Sequence, residues 1–264
     1  FAITLVNPDE TGVVSARAIE AVLDDDVCLV SVMSANNETG VLQPISEIAQ
    51  AAHAAGALFH TDAVQAAGHV RLNAEASGID MLSISAHKFH GPKGVGTLVC
   101  RTREGAEPLI YGGGQERGRR SGTENVPGIV GLAAALEEAC ATMKEDAARV
   151  RGLRDCFEEQ LGHIKGAYVV GKAAARVPGI LNVCFEGLDH QALIPLLDAR
   201  GVCASAGSAC SAGAVKTSHV LRAMGVSESL AKGSVRFSLS VDTTQEDGDA
   251  AAAAMREIAA SLKR

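Results

Sequence analysis

Apolar and polar residues follow two different periods along the chain. Short apolar runs, namely FAITLV, CLVSVM, ALFHTDA, DMLSIS and GVGTLVC, have the length of buried strands. Between them, apolar residues recur every three to four positions, as in an amphipathic helix. Ser15 is placed to cap one such helix, with Ile19 and Val22 on its buried face, and Pro44 opens another that Gly56 ends. Strands that alternate with helices predict an α/β fold with parallel strands.

The second half of the chain has a longer helical pattern. From Asn125 to Leu161 the apolar spacing stays helical for longer than one ordinary helix, which predicts a connector between two domains with room for one break. The strand ILNVCF, a helix from Asp189 to Arg200 that Pro195 interrupts, the loop ASAGSACSAG and the strand SVRFSLS follow. Thr244 and Asp247 form a capping box for the last, Ala-rich helix. We therefore expect a second α/β region.

Composition and charge remove several classes of function. The net charge is -7, which disfavours a general nucleic-acid surface. Seven cysteines contain no CxxC pair, which argues against a zinc site, and scattered thiols in an odd number fit the reducing cytoplasm. No apolar stretch approaches the roughly 18 residues of a membrane span. We expect a cytoplasmic protein with no metal, nucleic-acid or membrane partner.

A lysine follows the apolar run Met81 to Ile84, within SISAHKFHGPKG. Open α/β sheets bind ligands at the carboxyl ends of their strands, so Lys88 lies at a predicted ligand edge. A desolvated lysine there can act as an amine nucleophile that forms a Schiff base. Lys93 is a rival for this role, and an ordinary solvated loop lysine gives the same pattern.

Acid and amide side chains end the neighbouring predicted strands. Asp62 ends ALFHTD, Gln65 follows within one turn, and the sequence Asn36-Asn37-Glu38 ends CLVSVM. An acid, an amide and an amine at one sheet edge suit pyridoxal phosphate, because the acid pairs with the ring nitrogen and the amide bonds the ring phenolate. Each motif has a structural alternative: a helix cap at Asp62 and a polar turn at residues 36–38.

Hydrogen-bonding residues of the kind that gather around a phosphate occur nearby. Ser85 and His87 flank the end of the strand DMLSIS, and Thr123 precedes a predicted helix N-terminus, where backbone N–H groups favour anions. A serine or threonine before a helix also serves simply as its cap. These three residues are candidate phosphate ligands.

Two further side chains are candidates for substrate chemistry. Cys210 lies in ASAGSACSAG, where small neighbours leave it exposed enough to act as a nucleophile, whereas Cys203 lies on the strand-like side and is expected in the core. Arg236 interrupts the alternating strand SVRFSLS. A guanidinium there either forms a salt bridge or clamps a substrate carboxylate.

Six motifs, taken in order, resemble the cysteine desulfurases of the NifS/IscS branch of the class V aminotransferase family. They are HTDAVQ, SISAHKFHGPKGVG, GGGQERGRRSGTENV, ASAGSACSAG, SHVLRAMG and SVRFSLS, and the resemblance runs through the whole chain. An ordered set of motifs is far more specific than any single one. The resemblance implies a pyridoxal phosphate-dependent transferase of fold type I. It implies an incomplete large domain with a mainly parallel sheet in residues 1–135, and a connector helix with a small α/β C-terminal domain in residues 136–264.

The resemblance also assigns a role to each candidate residue. Lys88, in preference to Lys93, is the Schiff-base lysine, Asp62 faces the pyridine nitrogen and Gln65 faces the phenolate oxygen. Asn37 lies beside the ring, Ser85 and His87 hold the phosphate, and Thr123 reaches the phosphate of the partner subunit's cofactor in a homodimer. Arg236 holds the substrate carboxylate together with Asn37, and Cys210 accepts the sulfur.

The implied reaction converts L-cysteine to L-alanine and leaves a persulfide on Cys210, which passes to a sulfur-acceptor or iron-sulfur scaffold protein. A selenocysteine lyase or an aminotransferase of the same family is the alternative enzyme. A cofactor-free sulfur-relay or scaffold module on the same fold is an alternative of another class.

The family pattern includes on the order of a hundred further N-terminal residues, roughly a small domain. That segment carries a Gly/Thr phosphate loop and a histidine that stacks on the ring. We therefore expect this chain to be a portion of a longer protein that binds pyridoxal phosphate weakly by itself. The residues after Cys210, AGAVKTSHV, also differ from the commoner family wording.

Overall fold

The computed structural model describes residues 1–101, 107–207 and 217–262. These residues group into two units. Unit 1 comprises residues 1–22, 35–44 and 143–264, and unit 2 comprises residues 23–34 and 45–142. The predicted domains, 1–135 and 136–264, stay a prediction for the longer architecture that the resemblance implies.

Unit 2 is built on a four-stranded sheet whose strands lie in chain order. Helix α2 (Ile45–Ala54) connects β1 (Leu29–Ser31) to β2 (Leu58–Asp62), and both β1 with β2 and β2 with β3 (Met81–Ser85) are parallel pairs. Helix α2 forms because Ile48, Ala49 and Ala52 line one buried face, and Gly56 ends the turn after it with a φ of +80°. The predicted parallel α/β arrangement is confirmed for these three strands.

The fourth strand of this sheet differs from the prediction. Strand β4 (Gly96–Cys100) runs antiparallel to β3, with Ser85 opposite Gly96. The connection between the two strands holds only the short 3₁₀ helix Ala86–Phe89 and a loop, whereas a parallel return needs a crossover of a dozen or more residues. β4 is also an edge strand, and its apolar residues Leu98 and Val99 are exposed.

The N-terminal run FAITLV is not a strand, which corrects the sequence-based expectation. Among the described residues none pairs with it as a ladder, and Phe1, Ile3 and Leu5 are exposed. An alternating run forms a strand only where a neighbour supplies hydrogen bonds and a surface to cover one face. The helix predicted after Ser15 is present as α1 (Ala16–Glu20), and the Ser15 hydroxyl accepts from Ala18 N; Ile19 is buried and Val22 is exposed.

The long helical pattern forms one helix, α3 (Val126–Gly162), of 37 residues and without the break that the spacing allowed. Asn125 begins it, because its side-chain oxygen accepts from Gly128 N at 3.2 Å. Among the described helices, α3 has the length and composition of a membrane span, since an 18-residue window has a mean hydropathy of 1.3 and is 11% buried. The expectation that no apolar stretch reaches that length was therefore wrong, although length and composition alone are weak grounds for a membrane helix.

Unit 1 contains a three-stranded antiparallel sheet in the order β5 (Ala167–Val169), β6 (Ile180–Phe185), β7 (Ser234–Ser238). Every residue of β6 is buried, which makes it the centre of the core. Phe157 of α3 packs edge-on against Phe237, with ring centroids 5.0 Å apart. The surrounding helices are α4 (His190–Asp198), α5 (His219–Ala223), α6 (Glu228–Ala231) and α7 (Gln245–Leu262).

Two predicted helix starts in unit 1 are confirmed by their hydrogen bonds. Asp189 accepts from Gln191 N at 2.8 Å and caps α4, which continues through Pro195. The capping box before α7 is reciprocal: Thr244 N donates to Asp247 Oδ2 at 2.9 Å, and Asp247 N donates to Thr244 Oγ1 at 3.2 Å. These capping hydrogen bonds define the residues at which α4 and α7 begin.

Candidate functional site

The carboxyl edge of the parallel strands in unit 2 collects most of the predicted cofactor ligands. β2 ends at Asp62 and β3 ends at Ser85, and the register pairs Asp62 with Ser83. Because the two strands are parallel, both ends lie at the same edge of the sheet. Gln65 follows Asp62 in a turn, and the 3₁₀ helix Ala86–Phe89 carries His87 and Lys88 directly after β3.

Lys88 and its rival Lys93 have different surroundings. Lys88 is half-buried on the 3₁₀ helix, whereas Lys93 is exposed in the following loop. The backbone carbonyl of Lys88 accepts a hydrogen bond from His69 Nε2 at 2.8 Å. Burial lowers the pKa of His69, so the neutral ring with its proton on Nε2 is favoured near neutral pH. Sequence reasoning missed His69, because its partner is a backbone atom 19 residues away.

Asp62 is exposed, and its Oδ1 accepts from Val64 N at 2.9 Å. This bond is the capping role that the sequence left open as an alternative. The Asp62 backbone carbonyl is held by the buried residue Ser34, whose N and Oγ donate to it at 2.8 and 3.1 Å. The carboxylate therefore projects from a fixed backbone position into solvent, where it is available to a ligand.

His60 lies two residues before Asp62 on the same face of β2. Its Nδ1 is 2.8 Å from Ser31 Oγ, and its Nε2 is 2.9 Å from Ser83 Oγ, so the three side chains form a row across β1, β2 and β3. Burial lowers the pKa of His60, and the negative charge of Asp62 opposes that effect. The strand alternation in LFHTD was the signal that could have identified this neighbour of Asp62.

The candidate phosphate ligands fall into two groups. Ser85 Oγ and His87 Nδ1 are 2.8 Å apart, so these two side chains already meet. Thr123 is exposed three residues before α3 begins, as its predicted place ahead of a helix N-terminus requires. The nearby Ser121 is buried, and its Oγ donates to Gly113 O at 3.0 Å. This hydrogen bond fixes the chain two residues before Thr123.

In unit 1, the two predicted substrate ligands are in direct contact. Arg236 Nη1 donates to the backbone carbonyl of Asn37 at 2.9 Å. Arg236 also pairs through its own backbone with Ser205, with N···O distances of 3.1 and 2.6 Å. The guanidinium is thereby held at a definite place on β7, and both residues are half-buried.

The turn that contains Asn37 is stabilised by a buried polar network. Asn36 Oδ1 accepts from the backbone N of Glu38 at 2.9 Å and of Thr39 at 3.0 Å, which is the polar turn left open as the alternative reading of this motif. Asn182 of β6 donates to Glu38 O at 3.3 Å and accepts from Ser234 Oγ at 3.1 Å. The sequence did not reveal that Glu38 is buried, with 2% of its surface exposed.

Cys210, the predicted sulfur acceptor, lies outside the described residues. The six cysteines inside them are all free thiols, and Cys184 alone among these six is buried. Burial raises the pKa of Cys184 to about 12, so this thiol is unreactive. Cys203 is exposed, which corrects the expectation that it belongs to the core. Among the described residues, no group of three His, Cys, Asp or Glu side chains could hold a metal ion.

The donor set at the edge of unit 2 fits pyridoxal phosphate. A half-buried amine can meet an aldehyde, an exposed carboxylate can pair with a protonated ring nitrogen, and an amide can bond a phenolate oxygen. The hydroxyl and imidazole of Ser85 and His87 meet at the same edge and suit one phosphate oxygen or more. Their roles toward that group stay predictions.

Comparison with known proteins shows which family and which relatives this chain is similar to. The family model described as Aminotransferase class-V matches residues 1–250. A cysteine desulfurase of Gluconacetobacter diazotrophicus is 46% identical over 259 residues, which are 98% of this chain and 65% of that protein. The cysteine desulfurase NifS of Azotobacter vinelandii is 45% identical over 256 residues, or 97% of this chain and 64% of that protein.

A solved structure has the same fold. The NifS-like protein of Rickettsia africae superposes with a TM-score of 0.89 at 35% identity, over 96% of this chain and 68% of that one. The chain thus spans about two thirds of the length of the relatives it matches. Since the family model covers nearly the whole chain, this protein belongs to the class-V aminotransferase family.

Proposed function

We propose that this chain carries the catalytic residues of a pyridoxal phosphate-dependent cysteine desulfurase. The reaction takes the sulfur of L-cysteine, releases L-alanine and passes the sulfur through Cys210 to an acceptor protein. The observation that carries the proposal is the arrangement of Asp62, Gln65 and Lys88 at one edge of a parallel sheet, in a chain about 45% identical to cysteine desulfurases over almost its whole length.

Five residues of unit 2 would hold the cofactor. Asp62 pairs with the ring nitrogen, Gln65 with the phenolate oxygen, and Ser85 and His87 with the phosphate, while Lys88 provides the amine. When bound, pyridoxal phosphate supplies an electron sink that makes the substrate Cα–H acidic. Lys88 is placed to hold and return that proton, because it follows β3 directly, at the sheet edge that carries the other proposed cofactor ligands.

Substrate orientation is assigned to unit 1. The guanidinium of Arg236 is suited to pair with the carboxylate of L-cysteine, and Asn37, whose carbonyl Arg236 already contacts, lies within the same ligand set. The thiolate of Cys210 attacks the substrate sulfur, so that an S–S bond forms as the C–S bond breaks. The electron pair of the broken bond stays on the substrate carbon, which takes up a proton and leaves as alanine.

Further features support the proposed partners and compartment. A homodimer, with Thr123 directed at the partner's cofactor, is supported by exposed apolar residues near the start of α3, namely Val126, Ile129 and Val130. The acceptor is a sulfur-acceptor or iron-sulfur scaffold protein. A cytoplasmic location is supported by the six unpaired thiols of the described residues.

The test is alanine release from L-cysteine by the full chain supplied with pyridoxal phosphate, read beside visible absorption. We expect Cys210→Ala to keep the absorption and lose alanine release, because only sulfur removal needs that thiol. Cys203→Ala is the matched control, since it removes an exposed thiol seven residues away. Normal turnover in Cys210→Ala would assign sulfur removal to Cys203 or to a solution thiol. Absence of both absorption and turnover in the wild-type chain would contradict the proposed function.

A further inference from the structure

His69 donates a hydrogen bond to the backbone of the lysine proposed to react with the cofactor. Its Nε2 lies 2.8 Å from the carbonyl oxygen of Lys88, across 19 positions of sequence. A carbonyl oxygen only accepts, so the neutral ring carries its proton on Nε2. The 3₁₀ helix Ala86–Phe89 is four residues long, and the carbonyls at the end of so short a helix take their partners from elsewhere. His69 supplies such a partner from a different part of unit 2.

The turn that carries His69 starts at the candidate ligands of the cofactor ring. Asp62 ends β2, and its Oδ1 accepts from Val64 N at 2.9 Å. Backbone hydrogen bonds of 2.9 to 3.0 Å then continue the turn through residues 63–70. Gln65 lies in its first half and His69 near its end. Turn 63–70 therefore joins the two ring ligands to the histidine that holds Lys88.

Turn 63–70 also packs closely against the residue that follows Lys88. Gly68 has a φ of +76°, which favours glycine, and a Cβ at this position would lie 3.0 Å from the Cβ of Phe89. Phe89 is 1% exposed, so the end of the 3₁₀ helix is anchored by a buried ring. The hydrogen bond from His69 and the packing of Phe89 thus hold the same stretch of backbone against the same turn.

We propose that His69 is a positioning residue that joins turn 63–70 to the 3₁₀ helix carrying Lys88, and so fixes the spacing between the ring ligands and the amine. The ring nitrogen, phenolate oxygen and aldehyde of pyridoxal phosphate belong to one rigid ring system, so Asp62, Gln65 and Lys88 must meet them at fixed separations. The functional part of this inference rests on the proposed function. The structural part, the join between turn and helix, is independent of it.

The first readout is amide hydrogen–deuterium exchange of the full chain without added cofactor. The backbone N–H groups of His90 and Gly91 donate to Ala86 O and close the 3₁₀ helix. We expect His69→Asn to speed exchange at residues 90 and 91 about three- to tenfold, because the shorter side chain cannot reach Lys88 O and one hydrogen bond is lost. His69→Gln has an amide that reaches as far as the imidazole and should stay within about twofold of wild type.

A matched control separates this join from general loss of stability. His53→Asn removes another histidine hydrogen bond of unit 2, the one to Asp80 at 2.8 Å, and should leave exchange at residues 90 and 91 unaffected. Equal acceleration by His53→Asn and His69→Asn would show a general loss of stability and would overturn the join. Faster exchange confined to residues 69 and 70 in His69→Asn would also overturn it, because only the substituted turn would have loosened.

Gly68→Ala is a second test that retains the imidazole. The added Cβ would lie 3.0 Å from the Cβ of Phe89 and 3.1 Å from that of Ala139, so the turn must shift away from these neighbours. We expect the same faster exchange at residues 90 and 91. Should His69→Asn fail to fold, this variant decides, and unchanged exchange at those residues would overturn the join.

The second readout is catalysis with pyridoxal phosphate added. We expect His69→Asn to lower kcat for alanine release about tenfold while the KM for L-cysteine stays within about twofold, because Lys88 is misplaced and the proposed substrate ligand Arg236 is not. His69→Gln should restore most of the loss. Faster exchange with an unaltered kcat would overturn the positioning role. A wild-type chain that releases no alanine would contradict the proposed function, whereas the exchange experiment still tests the join.

Discussion

The two units organise their polar residues in opposite ways. In unit 2 the candidate cofactor ligands Asp62 and His87 are exposed, and Ser85 and Lys88 are half-buried. In unit 1 the polar residues around the candidate substrate ligands are buried, with Glu38 at 2%, Asn182 at 0% and Ser234 at 3% exposure. Unit 2 therefore presents groups to a ligand, whereas unit 1 uses polar groups to hold its own backbone.

This difference has a physical origin. The ligands of unit 2 are positioned by the ends of two parallel strands, so the backbone itself brings them to one edge. Unit 1 joins residues 144 to 199 positions apart, in the pairs Asn182 with Glu38, Ser218 with Glu38, and Arg236 with Asn37. Buried hydrogen bonds of that kind are costly to leave unmade, so unit 1 should tolerate substitution of its polar residues much less well.

The largest expected effect tests whether the residues at the carboxyl edge of the unit 2 sheet take part in the reaction. Lys88→Ala should abolish both the visible absorption of bound pyridoxal phosphate and alanine release, because it removes the only amine proposed to react with the aldehyde. Lys93→Ala is the matched control and should retain both, since that lysine is exposed in the loop. Absorption spectra and an alanine assay measure the two variants side by side. Equal loss in both variants would contradict the assignment to Lys88.

The next effect asks whether Arg236 serves the substrate or only the turn. Arg236→Ala should raise the KM for L-cysteine about 10- to 100-fold, because a charge-assisted pair with a carboxylate is worth about 1.5–3 kcal/mol. Arg236→Gln can still donate to Asn37 O but has lost the charge, so its KM should rise as much. Steady-state kinetics compare the two. A normal KM in Arg236→Gln would make the guanidinium structural and leave unit 1 without its proposed substrate ligand.

The sequence predicted the parts of this protein that depend on nearby residues. Asp62 and Ser85 could be placed at strand ends because each apolar run stops there, and the Thr244–Asp247 capping box spans three residues. One expectation failed because it depended on a distant partner: among the described residues, no strand pairs with FAITLV. The antiparallel direction of β4 has a local cause instead, the short connection after β3, in a sheet whose other two strand pairs are parallel as predicted. The hydrogen bond that Ser218 Oγ donates to Glu38 Oε2 could not be predicted either, because nothing near residue 38 indicates a partner near residue 218.

A stability comparison sharpens the contrast between buried and exposed polar residues. Asn182→Leu should lower the free energy of unfolding by about 1–3 kcal/mol, because Glu38 O and Ser234 Oγ both lose a buried partner. Ser85→Ala removes a hydrogen bond with the exposed His87 and should change the free energy of unfolding by less than about 0.5 kcal/mol. Denaturant unfolding measures both. Similar losses of unfolding free energy in the two variants would show that the buried polar residues of unit 1 stabilise the protein no more than the exposed ones of unit 2.

The smallest expected effect concerns His69, a half-buried histidine whose Nε2 donates to the backbone carbonyl of Lys88. Burial lowers its pKa, and the charges of Lys88 and His90 act in the same direction, against the hydrogen bond to Lys88 O. Below the unfolded-state pKa of about 6.5, the unfolded chain binds a proton that the folded chain does not, so stability is lost as pH falls from 7 towards 5. His69→Gln keeps a side-chain N–H that can donate to Lys88 O but cannot titrate, so its free energy of unfolding should fall less steeply over that range. One proton changes this slope by at most about 1.4 kcal/mol per pH unit, and His60, whose pKa burial also lowers, contributes equally to both proteins. Denaturant unfolding at pH 7, 6 and 5 measures how the free energy of unfolding of each protein changes with pH. Identical slopes would mean that His69 contributes no pH-dependent stability and that the backbone of Lys88 is held independently of pH.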